Sequence, residues 1–111
     1  MGRSYLGEFE ELVLLTVAHL KGEAYGAAIL QDIKDRTGRL VILSAIYVAL
    51  YRLEEKGLIT SWVGGARQER GGRRKRIFTV TASGLHTLGE IRQVREELWQ
   101  SITKGVQPSS L

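Results

Sequence analysis

Two tyrosines and six cations are the side chains of this sequence best suited to meeting another molecule. Tyr47 and Tyr51 stand four residues apart, so on a helix both hydroxyls leave from the same side. Ser44, Val48 and Arg52 share that face, while Ile46, Ala49, Leu50 and Leu53 recur at helical spacing on the other. A face of this composition suits a nucleic-acid groove or a partner helix. The cations favour the groove. Arg67, Arg70, Arg73, Arg74, Lys75 and Arg76 fall within ten residues, against Glu69 as the one acid. The whole chain carries a net charge of +4, so everything outside this patch sums to about −1. A localised basic patch is the electrostatic footprint of phosphate binding. Its plainer alternative is a solvated loop that aids solubility.

Catalysis has little to work with. The chain has no cysteine, which excludes disulfides, cysteine-ligated zinc, iron–sulfur clusters and thiol nucleophiles. Its two histidines, His19 and His86, lack metal-ligand spacing, and His19 reads as structural. There is no phosphate-binding glycine loop and no serine with a base nearby. Glu54-Glu55 and Glu96-Glu97 are adjacent pairs on helices, so their carboxylates diverge. No enzyme activity, cofactor or metal is expected.

The 111 residues, 43% of them hydrophobic and 25% charged, suit one soluble domain. No apolar run approaches the roughly 20 residues of a membrane helix. The segment from Met1 to Tyr5 has no signal-peptide core. A cytoplasmic location without membrane contact is expected.

Four helices and a hairpin must position the reactive residues. Phe9, Leu12, Val13, Val17 and Leu20 line a first helix, with Glu8, Glu10 and Glu11 in its opening turn and Lys21-Gly22 at its end. Ala24-Tyr25-Gly26 opens a second, which carries Ile29, Leu30 and Ile33 to about Thr37, with Gly38 as its stop. Gly26 is expected to admit another backbone. Residues 39–43 suit a small strand or an extended linker. The third helix, from Ser44 to the stop at Gly57, bears the tyrosines. Residues 58–63 and 73–81 read as strands around a basic loop bracketed by Gly64-Gly65 and Gly71-Gly72. Alternation in the second strand puts Phe78 and Val80 toward the core, with Ile77 and Thr79 on the other face.

Thr81 is a good N-cap for a fourth helix. Leu85, Leu88, Ile91, Val94, Leu98 and Ile102 then recur over about six turns, longer than a small core needs. Its far end would leave apolar residues bare, and a second subunit is the simplest cover. The expected fold is α+β and mostly helical: a winged helix-turn-helix with a long C-terminal dimerisation helix. The expected division is residues 1–82 for DNA binding, 83–106 for the helix, within the same compact unit, and 107–111 as a frayed tail.

At this point the residues resemble the PadR-like family of transcriptional regulators. The resemblance rests on Leu6-Gly7-Glu8-Phe9-Glu10, Ala24-Tyr25-Gly26, Thr37-Gly38-Arg39 and Ala45-Ile46-Tyr47. It continues through Leu50-Tyr51-Arg52-Leu53-Glu54-Glu55-Lys56-Gly57-Leu58-Ile59, Gly71-Gly72-Arg73-Arg74-Lys75-Arg76 and Thr81-Ala82-Ser83-Gly84. The ordered set covers most of residues 6–90. It implies a homodimer bound to inverted-repeat operator DNA, usually as a repressor, under the control of a small, often aromatic effector. Ser44, Tyr47, Val48, Tyr51 and Arg52 would face the major groove. Arg70, Arg73, Arg74, Lys75 and Arg76 would neutralise phosphates. Phe9, Leu88, Ile91, Val94, Leu98 and Ile102 would hold the dimer, with half-sites roughly 34 Å apart.

The chain departs from the pattern in places. Ile42 stands where a serine is common before the third helix, Ser44 replaces a common glycine and Ala49 a common threonine. These changes bear on operator sequence rather than fold. The chain resembles the short subgroup that lacks a separate C-terminal dimerisation domain. In some short relatives, tryptophans on the last helix sandwich planar ligands between subunits. Trp99 sits about one turn beyond that position and is the candidate effector-binding residue. Two rival readings are a winged-helix protein-interaction module and a nonspecific nucleic-acid binder.

Overall fold

Helix α1 (Glu8–Leu20) carries Glu8, Glu10 and Glu11 in its first turn, where carboxylates complement the positive end of the helix dipole. It closes where Lys21 takes the left-handed conformation at φ 46°. The computed structural model describes residues 6–64 and 74–104. Helix α2 (Gly26–Thr37) ends at Gly38, whose φ of 73° lets its N–H donate to the Lys34 carbonyl. Residues 38–42 are neither helix nor strand. Helix α3 (Leu43–Glu55) starts one residue before Ser44, and Ile42 at its N-cap offers no side-chain acceptor. Glycine is required at its far end too: Gly57 has φ 77° and donates its N–H to the Glu54 carbonyl.

Strands β1 (Ile59–Val63) and β2 (Arg76–Val80) pair antiparallel, with Ser61 opposite Phe78 and Trp62 opposite Ile77. The Phe78 N–H points away from β1 and donates to the Ala24 carbonyl at 2.8 Å. Ala24 is thus tied by its backbone to the outer side of β2, ahead of α2 rather than as part of it. The second strand is shorter than residues 73–81, and its alternation is not clean. Phe78 is fully buried as expected, but Ile77 on the opposite face is buried as well, beside its cross-strand partner Trp62.

Val13, Leu14 and Val17 of α1, Ile29 and Ile33 of α2, and Ile46, Leu50 and Leu53 of α3 meet Ile59 and Phe78 in one core. Thr16, buried among them, satisfies its hydroxyl by donating to the Leu12 carbonyl at 2.8 Å. Helix α4 (Ala82–Lys104) is locked onto this body at its start. The Thr81 hydroxyl accepts from the Gly84 N–H at 3.0 Å and donates to the Gly57 carbonyl at 2.9 Å. Gly84 is pressed so close that a Cβ there would strike the Leu58 carbonyl and the Val80 side chain. Thr87 and Leu88 are buried, whereas residues 95–102 are exposed. At about 1.5 Å per residue, the 23-residue helix is roughly 35 Å long, so its outer half runs past the core. No helix among the described residues is long and apolar enough to cross a membrane.

Candidate nucleic-acid interface

The core-facing side of α3 is fixed by Ile46, Ala49, Leu50 and Leu53, all buried. That leaves Ser44, Val48, Tyr51 and Arg52 exposed on the opposite side, in the order the 3.6-residue repeat dictates. Tyr47 lies at the boundary and is half-buried. Its ring sits 6.5 Å from Phe78 and 6.0 Å from Tyr51, centroid to centroid. It also covers Gly26, where any Cβ would collide with the Tyr47 hydroxyl. Gly26 thus admits an aromatic side chain, not the backbone expected of it. Tyr47 wedges between α2 and α3 and sets their separation, while Tyr51 stands free of such packing.

Charge surrounds the exposed face of α3. Glu10, its side chain only 14% exposed, takes Lys56 at 2.7 Å and approaches Arg52 at 4.0 Å. Glu8 accepts from Arg39 at 2.6 Å, tying the start of α1 to the segment before α3. Exposed pairs like these contribute little to stability, about 0–1 kcal/mol each. Their effect is to hold cations at known places beside α3.

The wing is joined to α3 by a relay. Arg76 donates to the Ser61 hydroxyl at 2.9 Å, and Ser61 in turn donates to Glu54 at 2.9 Å. Lys75 lies 4.0 Å above the Tyr25 ring, a cation–π contact at the N-cap of α2. Arg74, Lys75 and Arg76 are exposed. Arg67, Arg70 and Arg73 lie outside the described residues. The relay and the Lys75–Tyr25 contact were not visible in sequence, because nothing in local periodicity says which strand position will face Glu54 or Tyr25.

A second exposed region lies between α1 and α4. Leu15, Leu88, Leu98, Trp99 and Ile102 line a groove of about 550 Å³, and Arg95 crosses it to donate to Glu11 at 2.6 Å. Of the six residues assigned from sequence to a dimer seam, Leu98 and Ile102 are exposed and Phe9, Ile91 and Val94 are half-buried. Leu88 belongs to the chain's own core, being only 9% exposed. Leu15 was not singled out in sequence, because it stands off the main apolar stripe of α1. Trp99 is exposed at the edge of this groove. His19, read as structural, accepts from Arg36 at 2.6 Å, since a guanidinium can only donate.

The arrangement has counterparts among solved structures. A PadR-like transcription factor from Bacteroides fragilis superposes with a TM-score of 0.72 at 22% identity, over 88% of this chain and 89% of that one. A PadR family transcription regulator from Clostridium difficile R20291 is 29% identical, with a TM-score of 0.59 over 85% of this chain and 91% of that one. A PadR family transcriptional regulator from Eggerthella lenta DSM 2243 is 26% identical, with a TM-score of 0.66 over 91% and 88%. No curated protein matches the chain. The family model for PadR-like transcriptional regulators matches residues 14–90, which span the hairpin and all of the core except Leu6 and Val13. With its winged helix-turn-helix fold and that match, the chain belongs to the PadR-like family of transcriptional regulators.

Proposed function

We propose that this DNA-binding regulator is a repressor that binds an inverted-repeat operator as a homodimer. The observation that carries the reading is the exposed face of α3 together with the exposed cations Arg74, Lys75 and Arg76 at the start of β2, Arg76 being tied to α3 by the Arg76–Ser61–Glu54 relay. In this reading α3 enters the major groove, where Ser44, Val48, Tyr51 and Arg52 reach base edges and Tyr47 contributes from its half-buried place. Arg70, Arg73, Arg74, Lys75 and Arg76 lie along phosphates.

The dimer rests on the outer half of α4. Leu98, Trp99 and Ile102 are 60%, 57% and 53% exposed, and a second copy covers them, with Leu15 and the half-buried Phe9, Ile91 and Val94 alongside. In this reading the groove beside Trp99 is where a flat aromatic effector binds, between the subunits. The protein works in the cytoplasm, as a regulator and not an enzyme.

The test is binding to DNA upstream of the protein's own gene against a scrambled duplex, at two salt concentrations. Specific binding that survives higher salt, at one dimer per site, is expected. Equal and salt-sensitive binding to both duplexes would reduce the function to nonspecific attachment. For the effector, planar aromatics titrated into a Trp62→Phe background should change the Trp99 fluorescence. No change with any of them would remove that role.

A further inference from the structure

The polar equipment of α3 is sparse where bases are read. In a helix-turn-helix the N-terminal part of the recognition helix meets the base edges. Reading by paired hydrogen bonds uses the forked groups of Arg, Asn or Gln. Between Leu43 and Val48 the exposed positions offer one short hydroxyl, Ser44, and α3 contains no Asn, Gln, Lys or His. Arg52 lies two turns further on and is within 4.0 Å of Glu10. What the N-terminal half does present is aliphatic carbon. Ile42, Leu43 and Val48 are 69%, 41% and 49% exposed, although each could have been polar without harm to the core. In the major groove, thymine alone among the DNA bases offers a methyl group.

We propose that this chain recognises its operator chiefly through thymine C5-methyl groups, which Leu43 and Val48, with Ile42 at the helix start, remove from water. The inference rests on the operator-binding reading above and deepens it. The cations around α3 and at the start of the wing supply phosphate attraction without regard to sequence, and these separate aliphatic side chains in the N-terminal half of α3 supply the choice of sequence. The predicted half-site is rich in A·T pairs, with thymines clustered where the start of α3 lies.

The test uses the full-length protein and a duplex enriched by it from a randomised library. The enriched duplex is resynthesised with deoxyuridine in place of every thymidine, which removes the methyl groups and keeps phosphates and base-edge hydrogen bonds. Affinity should fall roughly tenfold or more, at about fourfold per methyl, the factor set by about 0.8 kcal/mol for a methyl-sized group. A scrambled duplex should bind equally with either base. Val48→Ala and Leu43→Ala should weaken binding to the thymine duplex and shrink its advantage over the uracil one, which a change of DNA shape alone would not do. Both positions are partly exposed, so the melting temperature should stay close to that of the parent. Equal affinity for thymine and uracil duplexes overturns the proposal. A library that yields no enriched sequence overturns the operator reading itself, a different failure recognised before any uracil is introduced.

Discussion

The start of α3 and the outer half of α4 both expose aliphatic side chains to a similar degree, Val48 at 49% and Leu98 at 60%. Their surroundings differ. Around α3 the neighbours are Arg39, Arg52 and Lys56, with Glu8 and Glu10 paired to them. Arg74, Lys75 and Arg76 add further positive charge on the wing. The excess that an incoming surface meets is thus positive and favours an anionic one that tolerates methyl contact. Around the outer half of α4 the neighbours include Glu90, Glu96 and Glu97 along with Arg92 and Arg95, a mixed rim that repels no second copy of itself. Exposed apolar surface therefore has no single meaning. The charge bordering it selects the partner.

The comparison breaks most visibly at α4. Leu98→Glu combined with Ile102→Glu should raise the dissociation constant of the proposed dimer at least a hundredfold, since a buried hot spot contributes about 2 kcal/mol or more. Sedimentation velocity would show it, and an unchanged dimer would move the seam elsewhere. Gly84→Val attacks the joint between the two regions. With the Leu58 carbonyl in the way it should cost about 1–3 kcal/mol, lowering the melting temperature by roughly 4–8 °C per kcal/mol. A neutral outcome would mean that the start of α4 shifts freely on the body.

Tyr51→Ala removes a half-exposed ring from the reading face. It should cut discrimination between operator and random DNA by about 1 kcal/mol while changing stability by less than about 0.5 kcal/mol. Loss of stability without loss of discrimination would assign Tyr51 to packing. Arg74→Ala should weaken binding to every sequence and make the slope of log affinity against log salt shallower by about 0.9. An unaltered slope would take Arg74 off the phosphates. Ser61→Ala should have the smallest effect. It unlinks Arg76 from Glu54, so operator affinity should drop by a few tenths of a kcal/mol with the salt slope preserved.

Much of the fold was legible because its signals are local. The apolar spacing of Val13 and Val17, of Ile29 and Ile33, and of Ile46, Leu50 and Leu53 marks three helices whichever way they later pack. Thr81 announced the fourth helix, and its hydroxyl does accept from the Gly84 N–H. For the proposed interface the sequence offered a list of residues on one helix face. Less legible was the division of labour within that list. Tyr47 and Tyr51 have the same type and the same face, yet one is wedged over Gly26 and the other is open. The difference depends on the crossing of α2 and α3, which no spacing encodes. Leu88 and Leu98 likewise belong to one stripe of α4, but only Leu88 lies over the core.

The sequence by itself determined the order of elements, the basic character of the hairpin and the absence of cysteine chemistry, because periodicity, caps and composition act over a few residues. Only the tertiary structure decided which apolar residues stay exposed, which tyrosine is free, and that Arg76 is tied through Ser61 to Glu54. Those outcomes depend on distances between segments far apart in the chain, and such distances exist only once the core around Phe78 has closed.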